Sequence, residues 1–181
     1  MQVGRGALSL LRPDVPEDLI DEEAFAKDEF LPYWAELWPA GRALAAALPP
    51  VAGLRVVELG AGLGLPALVA AASGADVTAT DWAAEAVDLL ARNAARNSLA
   101  LAAMVRDWRE PWSQRFDLVL AADVLYEHRN VQPLLERLQE LAPAALLALA
   151  GRPYEQAFLA RWPGTIDEVA ERVVRLTPAP G

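Results

Sequence analysis

Apolar and polar positions along the chain follow two different periods. Short, nearly continuous apolar runs at Leu54 to Leu59, Ala75 to Thr80, Leu101 to Val105, Phe116 to Ala122 and Ala144 to Ala150 read as strands. Phe116 to Ala122 is apolar at almost every position, the pattern of a strand buried on both faces. Between these runs apolar residues recur at helical spacing. From Ala83 to Asn97, Ala86, Val87, Leu90 and Ala94 fall on one side and Arg92 and Arg96 on another, which predicts a helix. Further helices are predicted over Ala40 to Leu48, Pro66 to Ser73, Asn130 to Leu141 and Tyr154 to Trp162, with Pro39 and Pro66 placed where helices start. Trp34 and Trp38, four apart, would share one face of a helical turn. Ala7 to Leu11 would add an edge strand, and Thr165 to Thr177 alternates as a closing hairpin without a strong turn residue near Ala170. Strand alternating with helix predicts an α/β fold, a mostly parallel sheet with helices on both faces.

The stretch Val56-Val57-Glu58-Leu59-Gly60-Ala61-Gly62-Leu63-Gly64-Leu65 organises the rest: a strand runs into a turn with three glycines, and Pro66 opens the next helix. Glycines there permit positive φ and allow a ligand to approach the main chain with no Cβ between them. A dinucleotide fingerprint needs its third glycine six positions after the first, where this chain has Leu65, and a phosphate loop needs a Gly-Lys-Ser/Thr ending that is absent here. Glu58-x-Gly60-x-Gly62-x-Gly64 instead resembles the first motif of the class I S-adenosylmethionine-dependent methyltransferases. That resemblance implies a doubly wound, Rossmann-like seven-strand sheet with a C-terminal antiparallel hairpin. Its implied cofactor is S-adenosyl-L-methionine, with S-adenosyl-L-homocysteine as product.

In open α/β sheets ligands bind beyond the carboxyl ends of the strands. Those ends carry Gly60, Asp81, Asp107-Trp108 and Asp123. Asp81 lies 21 residues after Gly60, close to the spacing of about 20 at which an acid reaches the ribose hydroxyls of an adenosine ligand; it would equally cap the helix that begins at Ala83. Asp107 would accept a hydrogen bond from the exocyclic amine of adenine, with Trp108 as a wall for the ring; the alternative is a turn aspartate followed by a core tryptophan.

The fourth end reads Ala121-Ala122-Asp123-Val124-Leu125-Tyr126-Glu127-His128. Asp-x-x-Tyr here, with Pro32-Tyr33-Trp34 and Trp38-Pro39 upstream and Asp107-Trp108 between, resembles the seven-strand protein-lysine methyltransferases characterised by that motif, and Asn93 and Asn97 match it as well. The resemblance implies that Asp123 and Tyr126 line the methyl-acceptor side as catalytic residues. It implies cofactor contacts from Trp38, Glu58, Gly60, Gly62, Gly64, Asp81, Trp82, Asp107, Trp108 and Ala122, with Trp38 over the methionine end. The function so implied is N-methylation of a protein lysine. Alternatives are methylation of a small pyridine or amine, or a cofactor-binding module without catalysis.

Composition narrows these classes. At 181 residues, 54% of them hydrophobic, the chain has the size of one domain, 31–181, preceded by an acidic N-terminal arm, 1–30, in which Asp14, Glu17, Asp18, Asp21, Glu22, Glu23, Asp28 and Glu29 face the single Lys27. The formal net charge of −9 repels phosphate backbones and favours a basic protein or a small amine as substrate, against nucleic acid. With no cysteine and one histidine, neither a thiolate nucleophile nor a metal site is expected. No apolar stretch has the length of a membrane span, so the expectation is a cytoplasmic monomer.

Overall fold

The computed structural model describes residues 2–3, 6–13 and 33–179. The main sheet has seven strands: β1 (Arg55–Leu59), β2 (Asp76–Asp81), β3 (Ala102–Val105), β4 (Leu118–Ala122), β5 (Ala145–Ala148), β6 (Gly164–Ala170) and β7 (Val173–Pro178). Their spatial order is β3-β2-β1-β4-β5-β7-β6. β1 to β5 are parallel, and β7 inserts antiparallel between β5 and β6. The helices are α1 (Pro39–Ala46), α2 (Leu65–Ala72), α3 (Ala84–Arg96), α4 (Val131–Leu141) and α5 (Glu155–Leu159).

The two-residue period of β1 sorts its side chains onto two faces. Val57 and Leu59 join Val119 and Leu147 under Leu134 and Leu138 of α4 and Phe158 of α5. Val56 joins Val77, Leu120 and Leu146 under Leu44 of α1, Leu68 of α2 and Leu90 of α3. Each such leucine, fully buried, contributes roughly 1.5–3 kcal/mol, so both faces drive the sheet to be covered. The predicted doubly wound architecture is therefore present. Strand order reverses between β1 and β4, which puts the crevice for a ligand beyond Leu59 and Ala122. Among the described residues no helix joins β3 to β4; Trp108, Trp112 and Phe116 fill that part of the first face.

Several local expectations change. Ala7 to Leu11 is not an edge strand of the sheet: Gly6–Ala7 pairs with Gln2–Val3 in a separate two-stranded ladder, and the following residues lie along α3. Asn97 accepts from Ser9 N–H at 2.9 Å and donates to Ser9 C=O at 2.8 Å, and Asn93 does the same for Leu11 at 2.6 and 3.1 Å. Four residues advance a helix about 6 Å and two residues advance an extended chain about 6.6 Å, so two asparagine amides at i and i+4 imitate a neighbouring strand.

Trp34 and Trp38 do not share a helical face. Trp34 belongs to a 3-10 turn, Tyr33–Ala35, whereas Trp38 is extended at ψ 147° ahead of Pro39, because a residue before proline is kept out of the helical region. The helix expected to Trp162 stops at Leu159, and its last turn tightens as Arg161 and Trp162 bond the carbonyls three residues back. The closing hairpin is present. Its turn is Glu171-Arg172, with Arg172 at φ +58° and a bulge between Glu168 and Ala170. Residues 14–30 of the predicted acidic arm lie outside the described residues.

Candidate active site

The glycine loop leaves β1 with Gly60, Gly62 and Gly64 at φ +65°, +52° and +72°. At two of them space also demands glycine. A Cβ on Gly62 would stand 3.1 Å from the carbonyl oxygen of Trp34, and one on Gly64 would stand 2.0 Å from Cδ1 of Leu90. The loop's amides are largely engaged within the protein, contrary to the expectation of a bare main-chain cradle. Ala61 N–H donates to the Thr80 carbonyl at 2.9 Å, Gly64 N–H to the Ala61 carbonyl at 2.8 Å, and Gly62 N–H to Asp81 Oδ2 at 2.9 Å. The glycines thus let the backbone pass close to Trp34 and Leu90 and form a wall.

Two buried carboxyls hold this wall. Glu58, 1% exposed, accepts the N–H of Ala67 at 2.8 Å in the first turn of α2, where helix amides otherwise lack partners. Burial pushes its pKa up to about 8; the Ala67 amide opposes the shift and Asp81 adds to it. Asp81 Oδ1 accepts from Ala83 N–H at 3.0 Å while its Oδ2 holds Gly62. It therefore fixes the turn into α3 and anchors the loop, but it does not cap that helix, whose N-cap is Ala83 without a side-chain cap bond. Burial raises Asp81 too, against the amides of Ala83, Gly62 and Trp82.

Beyond these carboxyls lies a cavity of about 860 Å³, within the range of roughly 300–1,000 Å³ usual for cofactor sites. Its walls bring together eleven of the twelve residues expected from sequence. Trp38, Glu58, Gly60, Gly62, Gly64, Asp81, Trp82, Trp108, Ala122, Asp123 and Tyr126 all line it. Asp107 is the exception, and its carboxylate is turned to Arg109, with Nε at 2.9 Å and Nη2 at 2.7 Å. Burial would raise Asp107, but the Arg109 guanidinium and amide outweigh it and hold the carboxylate below its ordinary range.

On the β4 side, Asp123 takes a left-handed backbone at φ +54°, uncommon outside glycine. Its side chain is 8% exposed and bonded by the fork of Arg152, Nε to Oδ1 and Nη2 to Oδ2, both at 2.7 Å. Tyr126 stands 6.1 Å, ring to ring, from Tyr33, which stands 6.3 Å from Trp38; the Trp38 indole N–H donates to the Tyr33 carbonyl at 2.7 Å. Burial, with Glu127 and Asp81 nearby, raises the Tyr126 phenol, so its hydroxyl keeps its proton at neutral pH. Asn130 donates to the Val124 carbonyl at 2.9 Å and ties down the loop that carries Tyr126. His128 is exposed, its ring edge against Tyr154 at 5.6 Å.

Sequence reasoning missed three arginines in the walls: Arg109, Arg129 and Arg152. Arg109 and Arg129 pair with acids two residues away, Asp107 and Glu127, which local charge pattern could have indicated. Arg152 meets Asp123 across 29 residues, with no local signal.

This combination of strand order, glycine loop and switch-point cavity is a methyltransferase architecture. The 16S rRNA N2 methyltransferase of T. thermophilus, solved in complex with AdoMet and guanosine, superposes with a TM-score of 0.63 at 25% identity over 80% of this chain and 44% of that one. The ribosomal protein L11 methylase of Lactobacillus delbrueckii subsp. bulgaricus gives 0.57 at 26% identity over 77% of each chain. Residues 35–159 match the lysine methyltransferase family model, and the chain belongs to that family. The electron transfer flavoprotein beta subunit lysine methyltransferase of Danio rerio is 38% identical over 114 residues, 60% of this chain and 44% of that protein. Protein-lysine methyltransferase METTL21E of Bos taurus is 33% identical over 135 residues, 65% of this chain and 46% of its own length. The chain spans about half the length of these curated relatives.

Proposed function

We propose that the chain is an S-adenosylmethionine-dependent N-methyltransferase that modifies lysine side chains of a basic protein and releases S-adenosylhomocysteine. The observation that carries this reading is a single cavity at the switch point with two chemically different halves.

The first half fits an adenosine ligand. The Asp81 carboxylate, with about four acceptor positions, takes the amides of Gly62, Ala83 and Trp82 and keeps one for a ribose hydroxyl. Trp82 and Trp108 offer apolar walls, and the glycine loop lets a ligand lie flat where a side chain would obstruct it. The second half fits an amine. Asp123 and the Tyr126 hydroxyl would orient its N–H bonds, while Tyr33 and Trp38 exclude water and contact the aliphatic stem.

S-adenosylmethionine, when bound, supplies a methyl group on a sulfonium: the amine lone pair forms the new N–C bond, the C–S electron pair stays on sulfur, and the surplus proton on nitrogen passes to solvent. The protein's share is positioning and exclusion of water, and no strong base is required. Support for a protein acceptor comes from the family description, from relatives named for protein lysines and from the net charge of −9.

The test uses methyl-deuterated cofactor with electron transfer flavoprotein beta subunit and then a panel of basic proteins, read by peptide mass spectrometry. Deuterated methyl on lysine Nε, reduced at least tenfold by Tyr126→Phe or Asp123→Asn, is the expected result. Transfer only to small amines, with lysines untouched, would overturn the protein-lysine reading.

A further inference from the structure

Within the proposed amine site the Asp123–Arg152 pair raises a chemical question. Methyl transfer needs an uncharged amine, whereas a free lysine, with a pKa near 10.4, arrives protonated. A lone buried carboxylate would worsen this, because an opposite charge nearby stabilises the ammonium form. Asp123 on its own would hold the acceptor in its unreactive state.

The structure shows this carboxylate already matched. Both of its oxygens are bonded at 2.7 Å by Arg152, and a guanidinium does not lose its proton in the neutral range. Each oxygen still has one open acceptor position, so Asp123 can take an N–H without contributing net charge. The turn that carries the arginine is fixed, and its guanidinium lies near an aromatic ring. Glu155 accepts the amides of Ala150 and Gly151 at 2.7 and 3.0 Å and fixes the turn ahead of Arg152, and the guanidinium carbon lies 6.0 Å from the Trp38 ring centroid. Other cations in the walls are occupied: Arg109 by Asp107 and Arg129 by Glu127. Glu36 and Glu127 are the remaining wall acids outside the glycine-loop side.

We propose that Arg152 is a specificity-determining residue that neutralises Asp123, so that the acceptor half of the cavity admits an uncharged amine in preference to an ammonium ion. This rests on the methyltransferase reading and extends it to the charge state of the acceptor.

The test compares two probes of equal shape, choline, a permanent cation, and its neutral isostere 3,3-dimethylbutan-1-ol. Both are titrated into the S-adenosylhomocysteine-loaded full chain and followed by tryptophan fluorescence. The native protein is expected to bind the two within about threefold of each other, since a neutral pair gives a cation little advantage. Arg152→Gln exposes the Asp123 charge and is expected to gain at least about tenfold for choline with no change for the alcohol. Arg152→Lys keeps the charge and is expected to behave like the native chain. An unchanged choline-to-alcohol ratio in Arg152→Gln, or no choline binding by that variant, would overturn the proposal. Equal gains for both probes would overturn it too, because Arg152 would then be a mere plug. Failure of the lysine reading shows separately, as absence of lysine methylation by the native chain in the mass-spectrometric assay.

Discussion

Replacing Glu58 by glutamine isolates the consequence of burying a carboxyl beneath the glycine loop. Glu58 is 1% exposed, and its pKa rises from an ordinary 4.5 to about 8, chiefly through burial. Below pH 4.5 the group is protonated in both the folded and unfolded chains, and the fold loses nothing to it. As pH rises the unfolded chain releases its proton first, so stability falls by about 1.4 kcal/mol per pH unit until the folded value is reached. The full displacement, from 4.5 to about 8, corresponds to a ceiling of about 5 kcal/mol. Glutamine keeps an oxygen for the Ala67 amide and cannot ionise. Urea unfolding at pH 5, 6.5 and 8 should therefore give similar stabilities for the two proteins at pH 5 and a widening advantage of several kcal/mol for Glu58→Gln towards pH 8. Asp81, also raised by burial, is present in both proteins and tilts both curves. Asp107, lowered by Arg109, and Asp117, lowered by its pairing with Arg55 at 3.0 Å, lose their contributions only in more acidic solution. Parallel curves for native and variant across pH 5–8 would mean that burial does not hold Glu58 protonated in the fold.

Gly64→Ala combines a left-handed backbone with a Cβ driven into Leu90; strain of about 1–2 kcal/mol and overpacking of about 1–3 kcal/mol should lower the urea midpoint sharply. Gly41→Ala is the control, because a Cβ there meets nothing within 4 Å inside α1, and it should stabilise by about 0.5–1 kcal/mol. Asn93→Ala with Asn97→Ala removes four hydrogen bonds to Ser9 and Leu11. Hydrogen exchange at the Ser9 and Leu11 amides should accelerate at least tenfold while that of β1 stays slow; unchanged exchange would mean that the asparagines do not hold this segment.

The parts legible in sequence are those governed by local rules. β1, β4 and β5 announce themselves as apolar runs, since a strand covered on both faces leaves few positions for polar residues, whereas β3 reads as apolar although it is a largely exposed edge strand. Gly60, Gly62 and Gly64 mark the loop because few other residues fit its backbone. Strand ends then place Asp81, Asp123 and Tyr126 around one cavity. Interactions that no local rule encodes were hidden. Residues 8–11 pair with no strand of the main sheet; their partner is a pair of helix asparagines more than eighty positions away. Asp107 has the position expected of a ligand contact and the geometry of a partner for Arg109. Arg152 reaches Asp123 only because β5 lies beside β4, a neighbour relation that belongs to topology. The Trp34–Trp38 relation could be read from Pro39, whose effect on the preceding residue outweighs helical spacing.

Calorimetric titration of the native chain with S-adenosylhomocysteine, repeated on Asp81→Ala, tests the central claim most directly. Saturable one-to-one binding and a raised melting temperature are expected for the native chain, with both lost in the variant although it remains folded. A folded native chain that gives no heat and no shift in melting temperature would contradict that claim.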